Sequence, residues 1–154
     1  MSAVSDTEVE IFYRLHRRRL RSVETRVLRH ILITLNDDYP DNRRPQVQSR
    51  LAAIRETLLD APEDFAAAAL QHSECPTALN GGLLGTVPRG SLYPELEPVA
   101  FALQAGELSA IAESPMGLHL LLCEVINAPR ELSLAEASPF IRRQLERACR
   151  PRAA

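Results

Sequence analysis

The sequence predicts an α+β fold, and three observations carry the prediction. Apolar strand patterns are separated by unequal numbers of helical patterns, where a regular parallel α/β repeat would alternate them one for one. The last two strands, at 108–113 and 118–126, are joined by the tight turn Ser114-Pro115-Met116-Gly117. No internal repeat is visible.

The first element opens with the capping box Ser5-Asp6-Thr7-Glu8. Val9, Phe12, Tyr13 and Leu20 follow at helical spacing, which extends this helix to about Arg21, with an arginine-rich opposite face. Residues 22–25 read as a linker, and 26–35, rich in β-branched and aliphatic residues, as a strand. Asn, Asp and Pro cluster in 36–44 and make a loop. Pro45 suits a first helical position, and Val47, Leu51, Ile54 and Leu58 then mark one helix face. Pro62 opens a shorter helix through Phe65 and Leu70.

The segment 72–90 reads as glycine-rich loop with one short strand, and 94–103 as a short helix ended by Gly106. A second capping box, Ser133-Leu134-Ala135-Glu136, starts the C-terminal helix. Pro139 then requires either a kink or a later helix start.

At 154 residues, with 45% hydrophobic and 25% charged positions, the chain has the composition of one soluble globular domain. A net charge of -2 argues against a dedicated nucleic-acid binder. Charge is unevenly spread: residues 14–29 carry seven arginines against Glu24, and residues 91–136 carry seven glutamates against Arg130. There is no Lys, a pattern that reads as coding bias towards Arg. The run His16-Arg17-Arg18-Arg19-Leu20-Arg21 reads as a solvated or acid-binding helix face in preference to a nucleic-acid site.

Three cysteines, Cys75, Cys123 and Cys149, without CxxC spacing suit reduced thiols in a cytoplasm. The amino terminus lacks the basic start and apolar run of a secretory signal, and no segment reaches the length of a membrane span. His72 and Cys75 have ligand spacing but no second pair, so neither metal nor cofactor is expected.

Four spaced blocks stand out: Arg29-His30-Ile31-Leu32, Ser73-Glu74-Cys75, the stretch Gly81-Gly82-Leu83-Leu84-Gly85-Thr86-Val87-Pro88-Arg89-Gly90 with Tyr93-Pro94-Glu95-Leu96, and Glu113-Ser114-Pro115-Met116-Gly117-Leu118-His119. Together they resemble a parvulin, a peptidyl-prolyl cis-trans isomerase. The resemblance implies a four-stranded, mostly antiparallel sheet surrounded by helices. It divides the chain into an N-terminal helix and linker at 1–25, a rotamase domain at 26–128 and a C-terminal helix at 129–154.

It also implies site residues. Leu84, Leu92 and Leu96 correspond to the lining of the proline pocket, the last in place of a common Phe, and Met116 to a position that is often aromatic. The alternative for each leucine is ordinary core packing. His30 and His119 correspond to a histidine pair beneath the cleft with a structural and tuning role, Ser114 to a hydroxyl that bonds this pair, and Cys75 to a Cys or Asp at the cleft floor. For Cys75 a buried inert thiol is the alternative, and a covalent nucleophile is disfavoured because no step needs one.

Rotation about an X-Pro bond meets a barrier of about 18 to 20 kcal/mol because the planar amide loses its resonance, but no bond is made or broken. An apolar cleft that grips the ring and favours the twisted amide is sufficient. Two departures from the family pattern stand out. The usual Asp of the Gly-Asp-Leu-Gly block is Leu83, and the loop after the first strand mixes Arg43 and Arg44 with Asp37, Asp38 and Asp41. The second argues against selectivity for phosphorylated Ser-Pro.

The wording His-Ser-Glu-Cys-Pro-Thr-Ala-Leu, with Leu83 in the glycine block, most resembles the nitrogen-fixation parvulins. That resemblance implies a proline-containing client, the nitrogenase iron protein, and a helical domain ahead of the first helix, of which 1–25 would be the remnant. The alternative function is a non-catalytic module that binds proline segments as a chaperone or docking domain.

Overall fold

The computed structural model describes residues 3–149. The order of its elements is α1 (Asp6–His16), β1 (Thr25–Thr34), α2 (Arg44–Asp60), α3 (Phe65–His72), β2 (Leu83–Pro88), α4 (Glu97–Ala102), β3 (Ala112–Ser114), β4 (Gly117–Asn127) and α5 (Leu134–Cys149). The chain divides into two compact units, Glu24–Ala128 and a second made from Met1–Val23 with Pro129–Ala154. The C-terminal residues 150–154 of the expected last segment lie outside the described residues.

In the larger unit the strands form one sheet among the described residues, in the order β2-β1-β4-β3, and every pairing is antiparallel. The two long central strands, β1 and β4, pair from Thr25↔Asn127 to Thr34↔Gly117. Their side chains alternate between two faces. Ile31 and Ile33 of β1 meet Leu118, Leu120 and Leu122 of β4 under Val47, Leu51 and Leu58 of α2 and Phe65 and Ala69 of α3. On the opposite face Leu28, Leu121 and Cys123 pack with Val87, Leu96, Ala100, Phe101 and Leu103 around α4. His30, Leu32 and His119 share this second face by the same alternation.

The smaller unit is the pair α1 and α5, closed around Val4, Val9, Leu20, Ala137 and Ile141. Both capping boxes form. Ser5 Oγ accepts from the Glu8 N–H at 3.1 Å, and Ser133 Oγ accepts from the Glu136 N–H at 3.2 Å. Helix α5 starts at Leu134 and continues through Pro139, which removes the later-start alternative.

Helix α3 starts at Phe65, after a 3-10 turn at Pro62–Asp64, and three further boundaries differ from the sequence reading for a local reason. Helix α1 ends at His16 and not near Arg21, because the chain tightens into a short 3-10 turn at Arg17–Arg19. That turn delivers Leu20 to the core and Arg21 to an antiparallel bridge with Glu131. Strand β3 is shorter than 108–113 and begins at Ala112, since the Leu121 N–H is taken by Ser109 Oγ at 2.9 Å. A side chain there replaces a ladder acceptor and leaves Leu108 as an isolated bridge to Leu122. Helix α4 starts at Glu97: the Leu96 and Glu97 N–H groups make one turn onto the Tyr93 carbonyl, at 2.9 and 3.0 Å, but Pro98 has no N–H to give the Pro94 carbonyl and continue it.

The approach to β2 depends on glycine. Gly82 has φ +75°, and a Cβ there would run into the His30 carbonyl oxygen and lie 3.1 Å from the Ala69 Cβ. The close approach is needed because the His30 N–H donates to the Gly82 carbonyl at 2.9 Å, which ties β1 to the turn before β2. Gly106, with φ +84°, has nothing within 4 Å of the same position. Gly82→Ala should therefore destabilise by at least about 2 kcal/mol, against about 1 kcal/mol for Gly106→Ala, which carries backbone strain alone. Urea denaturation of both variants checks this, and equal costs would remove the steric argument.

Candidate active site

One cleft of about 410 Å³ collects most of the residues named from the sequence: His30, Cys75, Leu84, Leu92, Leu96, Met116 and His119, together with Leu32, Ser91, Tyr93 and Pro94. Its floor is the sheet face of His30, Leu32 and His119. One wall is the segment from Ser91 to Leu96 that leads into α4, and Met116 comes from the turn between β3 and β4. Leu84 and Leu92 are partly buried, whereas Leu96 is 3% exposed and belongs to the core around α4. Leu96 therefore lines the cleft and packs in the core at once. Met116 is 49% exposed and stands at the rim.

Ser114 does not line the cleft but lies directly behind it, with its Oγ 2.6 Å from His119 Nε2. The two imidazoles face each other with Nδ1 to Nδ1 at 3.2 Å. The register explains the approach: Leu32 is opposite His119 and His30 opposite Leu121, so the rings occupy diagonal positions on one face. His30 Nε2 lies 3.1 Å from Thr77 Oγ1.

Thr77 was missed in the sequence. Its position two residues after Cys75, at the start of the 3-10 turn Pro76–Asn80, was the available signal. The result is a chain Thr77, His30, His119, Ser114 that runs across the sheet. Ser114 Oγ also accepts from the Met116 N–H at 3.1 Å, which ties the chain to the rim.

A close Nδ1 to Nδ1 contact needs one donor and one acceptor, so it suits two neutral rings sharing a single proton between them. Either direction satisfies the whole chain, because the hydroxyls at its ends can donate or accept. Electrostatics agree. Burial pushes the His30 pKa down, and burial followed by the nearness of His30 lowers that of His119 to about 4.

Leu83, which stands where the family has Asp, is the first residue of β2. The turn before it is anchored from the other side. Arg29 Nη1 donates to the carbonyls of Asn80 at 3.3 Å and Gly81 at 3.0 Å, and the guanidinium also pairs with Glu124. Among the described residues no group of three His, Cys, Asp or Glu side chains is gathered to hold a metal ion.

The rotamase family model described as the PPIC-type peptidyl-prolyl isomerase domain matches residues 30–125. The chain belongs to this parvulin family. It is 44% identical over 143 residues to the NifM peptidyl-prolyl isomerase of Azotobacter chroococcum, covering 93% of this chain and 49% of that protein. It is 38% identical over 125 residues to NifM of Klebsiella pneumoniae, covering 80% and 45%. The chain thus spans about half the length of these relatives.

Among solved structures, a PpiC-type isomerase domain at 28% identity superposes with a TM-score of 0.60, over 72% of this chain and 95% of that one. The SurA-like chaperone structures from Campylobacter jejuni share the fold, with a TM-score of 0.61 at 22% identity over 94% of this chain and 56% of theirs.

For a parvulin with this imidazole pair, the sign of the pH dependence is fixed. Both rings have a folded pKa below the unfolded value of about 6.5, so between roughly 4 and 6.5 the unfolded chain binds more protons. Stability should be complete above about pH 6.5 and fall as the pH drops towards 4, with His119 alone contributing roughly 2 to 3 kcal/mol of that loss. The His119 Cε1–H shift followed by NMR should stay at its neutral value down to about pH 5, and the His30 ring should titrate below 6.5. An inflection near 6.5 for either ring would contradict the paired, neutral arrangement.

Proposed function

We propose that this parvulin catalyses cis-trans isomerisation of prolyl bonds, and that its cleft does so as an apolar clamp over a neutral imidazole pair. The observation that carries the reading is the convergence of Leu84, Leu92, Leu96 and Met116 above His30 and His119 in one cleft. The four apolar side chains grip the pyrrolidine ring. With the ring held, the amide twists against a mainly apolar lining, where the less polar twisted form is favoured relative to the planar one.

The chain from Thr77 to Ser114 holds the floor rigid and needs no proton transfer, because isomerisation breaks no bond. Cys75 contributes a polarisable thiol beside the carbonyl and acts as no nucleophile. Residues 26–128 form the catalytic domain, with 1–25 and 129–154 as flanking helical segments.

The client we propose is a proline-containing protein of nitrogen fixation, the nitrogenase iron protein. Identity of 44% to NifM over 93% of this chain supports this, together with the resemblance of the Cys75 and Leu83 blocks to the nitrogen-fixation parvulins. A wrong prolyl isomer delays a folding step by tens to hundreds of seconds, long enough for an oligomeric client to misassemble. We place the work in the cytoplasm, supported by Cys75, Cys123 and Cys149 all being free. Among the described residues no helix is long and apolar enough to cross a membrane.

Magnetisation-exchange NMR on peptides with Leu before Pro should show catalysed exchange. Leu84→Ala and Leu92→Ala should lower the rate at least about tenfold with folding retained, whereas Leu96→Ala should lower the rate and also cost about 2 to 4 kcal/mol of stability. Exchange at the buffer rate from a folded sample would leave proline-segment binding without catalysis, as in the chaperone alternative.

Coexpression with the nitrogenase iron protein should raise its active fraction, and the Leu84 and Leu92 variants should lose that benefit. Equal help from those variants would make isomerisation incidental to maturation.

A further inference from the structure

Beside the proline cleft lies a second recess of about 320 Å³, lined by Thr34, Asn36, Tyr39, Asn42 and Glu74. It continues from the cleft in two ways. Leu32 lines the cleft and Thr34, two residues on along the same face of β1, lines the recess. Cys75 lines the cleft and Glu74, its chain neighbour, lines the recess. The spacing is one strand repeat, about 6 to 7 Å, which is the reach of a long side chain on a residue next to the bound proline.

Glu74 is exposed but held in place. Its Oε1 accepts from the Thr34 N–H at 2.8 Å, the Thr34 hydroxyl at 2.7 Å and Asn42 Nδ2 at 2.9 Å. Its Oε2 has only a weaker contact with Asn42, at 3.2 Å, and stays open to a further donor. Partial burial works against ionisation, but the Thr34 and Asn42 hydrogen bonds, aided by the more distant Arg50, outweigh it and keep the carboxyl below its ordinary pKa.

Of the surrounding cations one is ion-paired away from Glu74, and two each hold a backbone carbonyl of the neighbouring loop. Arg44 pairs with Glu113 at 2.5 Å, Arg43 Nε donates to the Asp37 carbonyl at 3.2 Å, and Arg50 reaches the Asp41 carbonyl at 3.5 Å. Around this end of the cleft Asp37, Asp38, Asp41, Glu74 and Glu113 outnumber Arg43, Arg44 and Arg50. Arg89, just beyond β2, is taken up by Glu24 at 2.7 Å. The lining residues of the cleft include no Arg, and both of its histidines favour the neutral form.

We infer that Glu74 is a specificity residue that meets a basic side chain next to the isomerising proline, so that this cleft favours Lys or Arg beside proline and disfavours Glu or a phosphorylated residue there. The inference rests on the cleft being the proline site. An anchored carboxylate with one open oxygen matches an ammonium or guanidinium group. A phosphate in the same recess would face that carboxylate at close range, in surroundings where acidic groups outnumber basic ones.

The test uses short peptides that differ only beside proline, carrying Lys, Leu, Glu or phosphoserine, with Lys placed before or after the proline. Affinity is read by chemical-shift titration and turnover by exchange NMR. The better Lys peptide should bind and turn over about threefold better than the Leu peptide, with Glu and phosphoserine below both. The Lys advantage should shrink at 0.5 M salt, where screening acts within a few ångströms. In Glu74→Gln, which keeps Oε1 as acceptor for Thr34, the ratio of Lys to Leu should fall to about one. Equal affinities across the set, tightest binding by phosphoserine, or a Lys preference unchanged by both salt and Glu74→Gln would overturn the inference. Because affinity is measured separately, a cleft that binds Lys peptides best but leaves every exchange rate at the buffer value would uphold the role of Glu74 and refute the isomerase reading.

Discussion

The contact on which the site depends is the buried one between His30 and His119. Two imidazoles with Nδ1 atoms 3.2 Å apart share one proton, so neither ring can rotate or take up a second proton without opening the contact. That contact exists only in one register of β1 on β4, with Leu32 opposite His119. A one-residue slip would send one histidine to the face packed under α2 and α3, where Ile31, Ile33, Leu118 and Leu120 leave it no partner. The sheet register and the site geometry are thus one constraint. Thr77 and Ser114 at the ends of the chain then fix the Cys75 segment and the Met116 turn relative to the sheet.

A second buried polar group holds the opposite wall. Arg26 is 6% exposed, and burying its charge is tolerable because every arm is used. Its guanidinium donates to the carbonyls of Ala100 and Leu103, at and just beyond the end of α4, where the last turn of a helix leaves acceptors unsatisfied. Glu24 pairs with it at 3.1 Å and also holds Arg89, and both guanidiniums lie over the Phe101 ring, at 5.2 and 4.7 Å. Helix α4 is short, and this cluster fixes the wall to which Leu96 belongs. The cleft is therefore braced by imidazoles beneath it and by a guanidinium behind its wall, while its surface stays apolar.

Much of this was legible in the sequence, and the limits have physical causes. The strand pattern of 26–35 and the turn at Ser114 to Gly117 follow from side-chain alternation and turn chemistry, which are local. The histidines, Cys75 and the apolar set, which the fold brings to one cleft, were named because ordered blocks carry the resemblance, not because any one residue declares its role. Thr77 was missed because a threonine in a loop carries no signal until the fold brings it to an imidazole. The anchoring of the glycine turn by Arg29 was missed for the same reason, since a residue 51 positions away supplies it. The shortened β3 depends on the Ser109 hydroxyl taking a ladder N–H, a competition that periodicity does not register.

Catalysis of a rotation asks for less chemistry than a bond-breaking reaction and more shape. The imidazoles that would supply acid or base in another enzyme are here pushed towards neutrality by burial and by each other, and their ring nitrogens already have partners. What remains open in the cleft is an apolar surface of fixed geometry, and under the proposed function such a surface discriminates weakly between the residues beside proline. Discrimination has to come from the edges, where charge is affordable because water is near. Glu74 is such an edge group: its anchoring bonds hold the carboxylate in place, and its open oxygen leaves it free to act. Under the proposed function, clients are told apart by a few rim charges while the imidazole pair and the apolar cleft lining stay as they are.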